Sequence, residues 1–198
     1  MKSAWMRSII TSGFVAIASI LMSAAQARAA NFVLDADGLY FSDNVAASNK
    51  SSESATLFSG FAGFGVDKKN MYEIGWDYSS HSTSTVDASS TVGYNASEMG
   101  PEVVSYLDKD RNWRFSIAYD LVTTATYSLT GSSNEKWDGY AINTNIGYQF
   151  RWDSSVSIGI RLNYSLDTYS QSVVGSTTTS VSNSKTLIYP SVALTLEM

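Results

Sequence analysis

Residues 140–152 read Tyr-Ala-Ile-Asn-Thr-Asn-Ile-Gly-Tyr-Gln-Phe-Arg-Trp, and this stretch decides the fold. Tyr140, Ile142, Thr144, Ile146, Tyr148, Phe150 and Trp152 fall on one parity, and Ala141, Asn143, Asn145, Gly147, Gln149 and Arg151 on the other. Side chains of a β-strand alternate between the two faces of a sheet, so period-two alternation over thirteen residues is a strand with one apolar and one polar face. Four residues on, from Val156, the apolar Val156, Ile158, Ile160, Leu162, Tyr164 and Leu166 alternate with Ser157, Gly159, Arg161, Asn163, Ser165 and Asp167. The Asp153-Ser154 step between them reads as a tight turn.

The same alternation recurs along the chain. Trp113, Phe115, Ile117, Tyr119 and Leu121 alternate with Arg114, Ser116, Ala118 and Asp120, and Tyr72, Ile74, Trp76 and Tyr78 with Glu73, Gly75 and Asp77. Eight strands are predicted, near 31–42, 55–66, 70–80, 96–107, 112–128, 137–152, 154–169 and 185–198. Short polar turns at 67–70, 108–112 and 153–154 alternate with long Ser/Thr-rich loops at 43–54, 80–95, 129–136 and 170–184. Tight turns at one end and long loops at the other describe an up-and-down meander with both termini at the tight-turn end. The expected fold class is all-β, a closed antiparallel transmembrane β-barrel of about eight strands.

Which face points inward follows from size. An eight-stranded barrel is only just wide enough to hold its own side chains. The apolar parity carries Tyr, Trp, Phe, Ile and Leu in series, too bulky to fill that space from every strand. The polar parity carries Gly, Ser, Ala and Asn, which fit. The apolar face therefore points out, and its aromatic residues near the strand ends form a girdle of the membrane-interface kind: Trp76, Trp113, Tyr140, Tyr148, Phe150 and Trp152. A soluble lipocalin-like barrel would invert this arrangement.

The first residues belong to another segment. Lys2 and Arg7 precede a mostly apolar run at 9–22, and A-x-A patterns end at Ala27 and Ala29. This is the pattern of a cleavable secretory signal over 1–29, leaving a barrel domain over 30–198. No cysteine is present, so neither a lipid-anchored cysteine nor a disulfide is available. Three of the 13 Lys and Arg residues lie in the leader, so cleavage leaves ten against 18 Asp and Glu. An acidic chain of this kind is a poor partner for nucleic acid.

Signal, alternating strands, three short turns and four long loops together resemble the small OmpA/OmpX/OmpW-type outer-membrane barrels. The resemblance spans the whole mature chain and rests on pattern rather than on a diagnostic motif. It implies a bacterial outer-membrane location with periplasmic termini, outer-membrane lipid and lipopolysaccharide around the wall, and insertion by the barrel assembly machinery. It also implies an extracellular ligand, if any, at the long loops. The chain departs from the family in closing on Leu196-Glu197-Met198 rather than on an aromatic residue. Pro101 and Pro190 fall inside predicted strands, where each removes a ladder donor and marks a bulge or local edge.

Few residues suggest chemistry. His81 is the single histidine. A lipid-modifying barrel enzyme would use it with a hydroxyl two residues on, here Thr83, on the outer face. Its parity is that of the lumen, and the expected place is an exposed loop. Asp108-Lys109-Asp110-Arg111-Asn112 and Asp35-Ala36-Asp37-Gly38 each imitate the start of a calcium loop without its glycine and terminal acid at the required offsets. No cofactor and no metal site is expected.

The strongest local signal is charge on the lumen parity: Asp35, Asp37, Glu73, Asp77, Glu98, Glu102, Asp120, Asp167 and Glu197, against Arg114 and Arg161. Such charges need partners in a narrow lumen. Arg114 is expected beside Glu73 and Glu102, and Arg161 beside Asp35 and Asp37. Either an ion-pair plug or a solute path fits the pattern. The expected role is non-enzymatic: structural or surface-exposed, with a narrow pore as its variant.

Overall fold

The computed structural model describes residues 31–43, 52–67, 69–87 and 90–198. The leader and most of the first long loop lie outside the described residues. Eight strands follow one another: β1 Phe32–Asp43, β2 Ser52–Gly65, β3 Tyr72–Asp87, β4 Ser90–Tyr106, β5 Trp113–Leu129, β6 Glu135–Arg151, β7 Val156–Val174 and β8 Thr177–Glu197. Each pairs antiparallel with the next, and β1 pairs with β8 to close the ring.

The three tight turns use one device. Asp67 accepts from the backbone N–H of Lys69 and Tyr72, Asp108 from that of Trp113, and Asp153 from those of Ser155 and Val156. An aspartate that binds backbone donors a few residues on turns the chain at low cost. At Asp67 burial pushes the carboxyl pKa upward, but the N–H bonds from Tyr72 and Lys69 outweigh it and hold it below the ordinary aspartate range. Asn70 and Arg111 both have positive φ, 50° and 60°. Asn tolerates that conformation, and Arg does so at a cost.

At the other end the structure departs from expectation. Residues 80–87, 90–95, 170–174 and 177–184 are paired strand and not loop. β3 and β4 stay paired from Glu73↔Val104 to Asp87↔Ser90, and β7 and β8 as far as Val174↔Thr177. The Ser and Thr runs supply β-branched and hydroxyl side chains to paired strands beyond the apolar zone, so low hydrophobicity there marks the limit of the apolar belt and not the limit of the sheet. Of the predicted loops with described structure, only the one near 129–136 survives, shortened to 130–134.

Four irregularities shape the wall. Pairing shifts between Met99 and Glu102, at Pro101, and again at Asp120/Thr123, Asp138/Gly139 and Tyr169/Gln171. The Asp120/Thr123 bulge switches the inward parity of β5 from even to odd, so Thr123 and Ala125 follow Asp120 into the lumen. Pro190 lies opposite Leu162 in unbroken β7–β8 pairing. Its lost N–H matters on the other side, where β1–β8 pairing stops at Gly38↔Val192.

The outward face is a continuous apolar belt. On β8 it runs Leu196, Leu194, Val192, Pro190, Ile188 and then turns polar at Thr186 and Ser184; on β3 it runs Tyr72 to Tyr78 and turns polar at Ser80 and Ser82. Nine residues from Ile188 to Leu196, at about 3.4 Å each and tilted by about 40°, give a belt roughly 20 Å tall. Soluble monomers rarely expose apolar patches above a few hundred Å², whereas this belt encircles the barrel. Trp113 and Tyr148 meet edge-on at 5.3 Å at the tight-turn end, and Tyr119 lies 5.9 Å from Tyr140 nearer the other. Phe150 and Trp152 continue the lower rim, while Trp76 sits inside the belt between Ala62 and Pro101. The polar lumen rules out the lipocalin-like arrangement.

Ile160 on β7 is 68% exposed on this belt. Ile160→Arg is expected to lower the folding free energy by about 2–4 kcal/mol, because it places a charge against hydrocarbon. Ser184→Arg, on the outward face of β8 beyond the belt, is expected to be tolerated. Heat-modifiable gel migration of the refolded variants reads the difference, and equal tolerance would reverse the inside-out assignment.

Candidate functional site in the barrel lumen

The lumen is packed in layers that follow the inward parity. Val33, Phe61, Val104 and Tyr106 close the tight-turn end as a small apolar cluster, with Met71 against it. Arg111 folds in from the β4–β5 turn, its guanidinium 4.2 Å above the Tyr106 ring. It donates to Glu73 at 2.7 Å and to Glu197 at 2.6 Å. Arg151 reaches the other oxygen of Glu197 at 3.1 Å. Glu73 had been expected beside Arg114. Arg111 takes that place because the left-handed backbone at this turn residue aims its side chain inward. The sequence motif at 108–112 looked like a solvated turn and carried no hint of this.

Above this layer lie the other two arginines. Arg114 donates to Glu102 at 3.2 Å and to Asn145 at 2.6 Å. Arg161 pairs with both oxygens of Asp35 and donates to Asp37 at 3.1 Å. Thr195 donates to Asp35 at 2.5 Å, and Arg161 Nη2 lies 3.4 Å from the Thr195 hydroxyl. The two-pronged contact with Asp35 is the strong form of the arginine–carboxylate pair. Three strands therefore meet on one ion cluster: Arg161 from β7, Thr195 from β8 and the aspartates from β1.

Mid-lumen space is scarce. A cavity of about 20 Å³ lies among Ser59, Asp77, Ser116, Asn145, Asn163 and Tyr189, room for about one water.

The upper layer is different. Glu98, Asp120 and Asp167 are buried with His81, which is 1% exposed inside β3 and not in a loop. With β3 extending to Asp87, its parity carries it into the lumen and away from any lipid. Asn143 donates to Glu98 at 2.8 Å and to Asp120 at 2.5 Å. Ser165 donates to Asp167 at 2.5 Å, and the Tyr94 hydroxyl contacts both Asp167 and the Tyr169 hydroxyl. Lys185 stands 4.2 Å over the Tyr94 ring. Tyr94, Tyr169, Ala96 and Ala125, with Trp137 beside them, roof the layer. Among the described residues, no Lys or Arg lies within 4 Å of the carboxylates of Asp77, Glu98, Asp120 or Asp167; His81 stands 3.3 Å from Glu98, and Lys185 lies opposite Asp167 in the β7–β8 register. The length of the strands puts Glu98 and Asp167 deep inside.

The ion pairs generate a sharp expectation at Arg111. Arg111→Gly relieves the positive φ yet removes the donor from buried Glu73. It is expected to cost about 2–3 kcal/mol in urea unfolding of the refolded barrel, the loss of a buried pair less the backbone relief. Asn70→Gly offers the same relief in a turn with no ion pair, and is expected to be neutral or stabilising. Similar results for both would show that Arg111 acts only as a turn residue.

No protein-family model matches the chain, and no curated protein matches it by sequence. Among solved structures, the crystal structure of Neisserial surface protein A matches 86% of this chain and 98% of its own, with 13% sequence identity and a TM-score of 0.48. The eight-stranded ring itself rests on this chain's own backbone pairing.

Proposed function

We propose that this chain is a non-enzymatic bacterial outer-membrane protein. In this reading the barrel is a lipid-embedded support with a plugged lumen, and the functional surface is the set of long hairpins that rise beyond the belt. The observation that carries it is the division of the wall. The outward face is apolar from the tight turns to the start of the Ser/Thr zone, and the strand charges within the belt turn inward. Open edges and unpaired strands do not survive in hydrocarbon, and a closed ring has neither. Buried ion pairs and a single-water cavity favour a plug over a conducting path. His81 inside the lumen cannot meet a lipid, so the lipid-modifying reading loses its residue.

Lipid and lipopolysaccharide surround the belt in this account, and the assembly machinery inserts the chain. The termini and the three Asp-led turns face the periplasm. The hairpins β3–β4, β5–β6 and β7–β8 present hydroxyl-rich faces outside the cell, where a ligand would bind.

The chain has no cysteine, so orientation is testable with single introduced thiols. Gly175→Cys, at the β7–β8 hairpin tip, is expected to react with a membrane-impermeant maleimide on intact cells. Asp110→Cys, in the β4–β5 turn, is expected to react only after the outer membrane is permeabilised. The opposite pattern, or labelling of neither in permeabilised cells, would overturn the reading.

A further inference from the structure

The lower lumen is neutralised by arginines and the upper lumen is not. Asp35, Asp37, Glu73, Glu102 and Glu197 each have an arginine. Glu98, Asp120 and Asp167 face one another with one histidine among them, and Lys185 lies at their edge, opposite Asp167 and over the Tyr94 ring. Burying three carboxylates beside a single lysine is costly.

Three of these groups converge. A nitrogen of His81 and one carboxylate oxygen each from Glu98 and Asp167 lie within 4.8 Å of one another, all buried. His81 Nδ1 and Glu98 Oε1 stand 3.3 Å apart, within ion-pair distance, and neither of these two buried atoms has a well-formed hydrogen bond. The other side of each ligand is held. His81 Nε2 is 3.4 Å from the Tyr189 hydroxyl, Glu98 Oε2 accepts from Asn143, and Asp167 accepts from Ser165 at Oδ1 and from the Tyr94 and Tyr169 hydroxyls at Oδ2. A ring nitrogen and a carboxylate, each oriented from behind by a second group, is how proteins hold a divalent transition metal.

We propose that His81 Nδ1, Glu98 Oε1 and Asp167 form a binding site for a divalent transition cation of the zinc class in the upper lumen. Three protein ligands of the nitrogen-and-carboxylate type leave a fourth position for water. The imidazole selects against calcium and magnesium, which take oxygen ligands. The cation brings two positive charges to a layer that holds three acids. No motif in the sequence signals this site, because the three ligands come from β3, β4 and β7 and share no spacing pattern.

His81 is the single histidine of the chain, so its imidazole resonances report the site without assignment. The refolded barrel, residues 30–198 in detergent, is titrated with zinc chloride and followed by calorimetry and by imidazole NMR. One zinc ion per chain is expected, with a discrete change in the His81 signals. Calcium and magnesium chloride at the same concentrations should leave those signals unmoved. His81→Gln and Glu98→Gln should each weaken binding by about tenfold or more. The proposal is overturned if saturating zinc leaves the parent's His81 resonances unchanged, whatever heat is released. It is also overturned if a folded His81→Gln variant keeps the parent's affinity. If a variant fails to fold, the NMR titration of the parent decides alone.

Discussion

A sheet that closes on itself must pair its first strand with its last, and here that pairing is the shortest of the eight. β1 meets β8 over six positions, from Val33↔Glu197 to Gly38↔Val192, with Phe32 and Met198 exchanging a further pair of backbone bonds. Pro190 has no N–H to carry the ladder upward. The closing seam is therefore where side chains matter most, and the densest ion cluster lies across it. Arg161 reaches from β7 past β8 to Asp35 and Asp37 on β1, and Thr195 on β8 bonds the same aspartate. At the foot of the seam, Glu197 of β8 is gripped by Arg111 and Arg151. The polar interior thus does for this barrel what an apolar core does for a soluble protein: it ties together strands far apart in sequence.

That arrangement follows from the solvent outside. In the proposed outer-membrane setting, with hydrocarbon around the wall, apolar burial inside brings no advantage over apolar contact outside, and the charges have only the lumen to occupy. Once inside they must be matched, and the matching divides the lumen into an arginine-neutralised lower part and an acid-rich upper part. The first secures the ring. The second is the chemically distinctive part of the molecule, and it sits directly beneath the hairpins that rise above the belt.

Much of this was legible in the sequence. Thirteen residues from Tyr140 to Trp152 carry the strand period, and the bulk of that face sets the inside-out assignment. Parity alone placed Asp35, Asp37 and Arg161 together on the lumen side at similar heights. What escaped was of four kinds. Arg111 lies in a turn, where parity says nothing, and its inward aim depends on a positive φ. His81 was expected in an exposed loop because Ser and Thr runs were read as loops, although hydroxyl residues pair well in strands outside the belt. The bulge after Asp120 reverses the inward parity of β5, which periodicity cannot foresee. Five aromatic residues on the lumen parity, Phe61, Tyr94, Tyr106, Tyr169 and Tyr189, also went unremarked, although their parity placed them with the charges.

The claim that lumen ion pairs secure the closing seam is tested most directly by a double-mutant cycle on Arg161 and Asp35. Unfolding free energies of the parent, Arg161→Ala, Asp35→Ala and the double variant would be measured in urea from phospholipid vesicles. The account predicts that each single change costs about 3–5 kcal/mol, because each leaves a buried charge without its partner. The double variant should cost less than the two together by about 2 kcal/mol or more. Additive losses, within about 0.5 kcal/mol, would contradict it and leave the backbone ladder as the sole closure of the barrel.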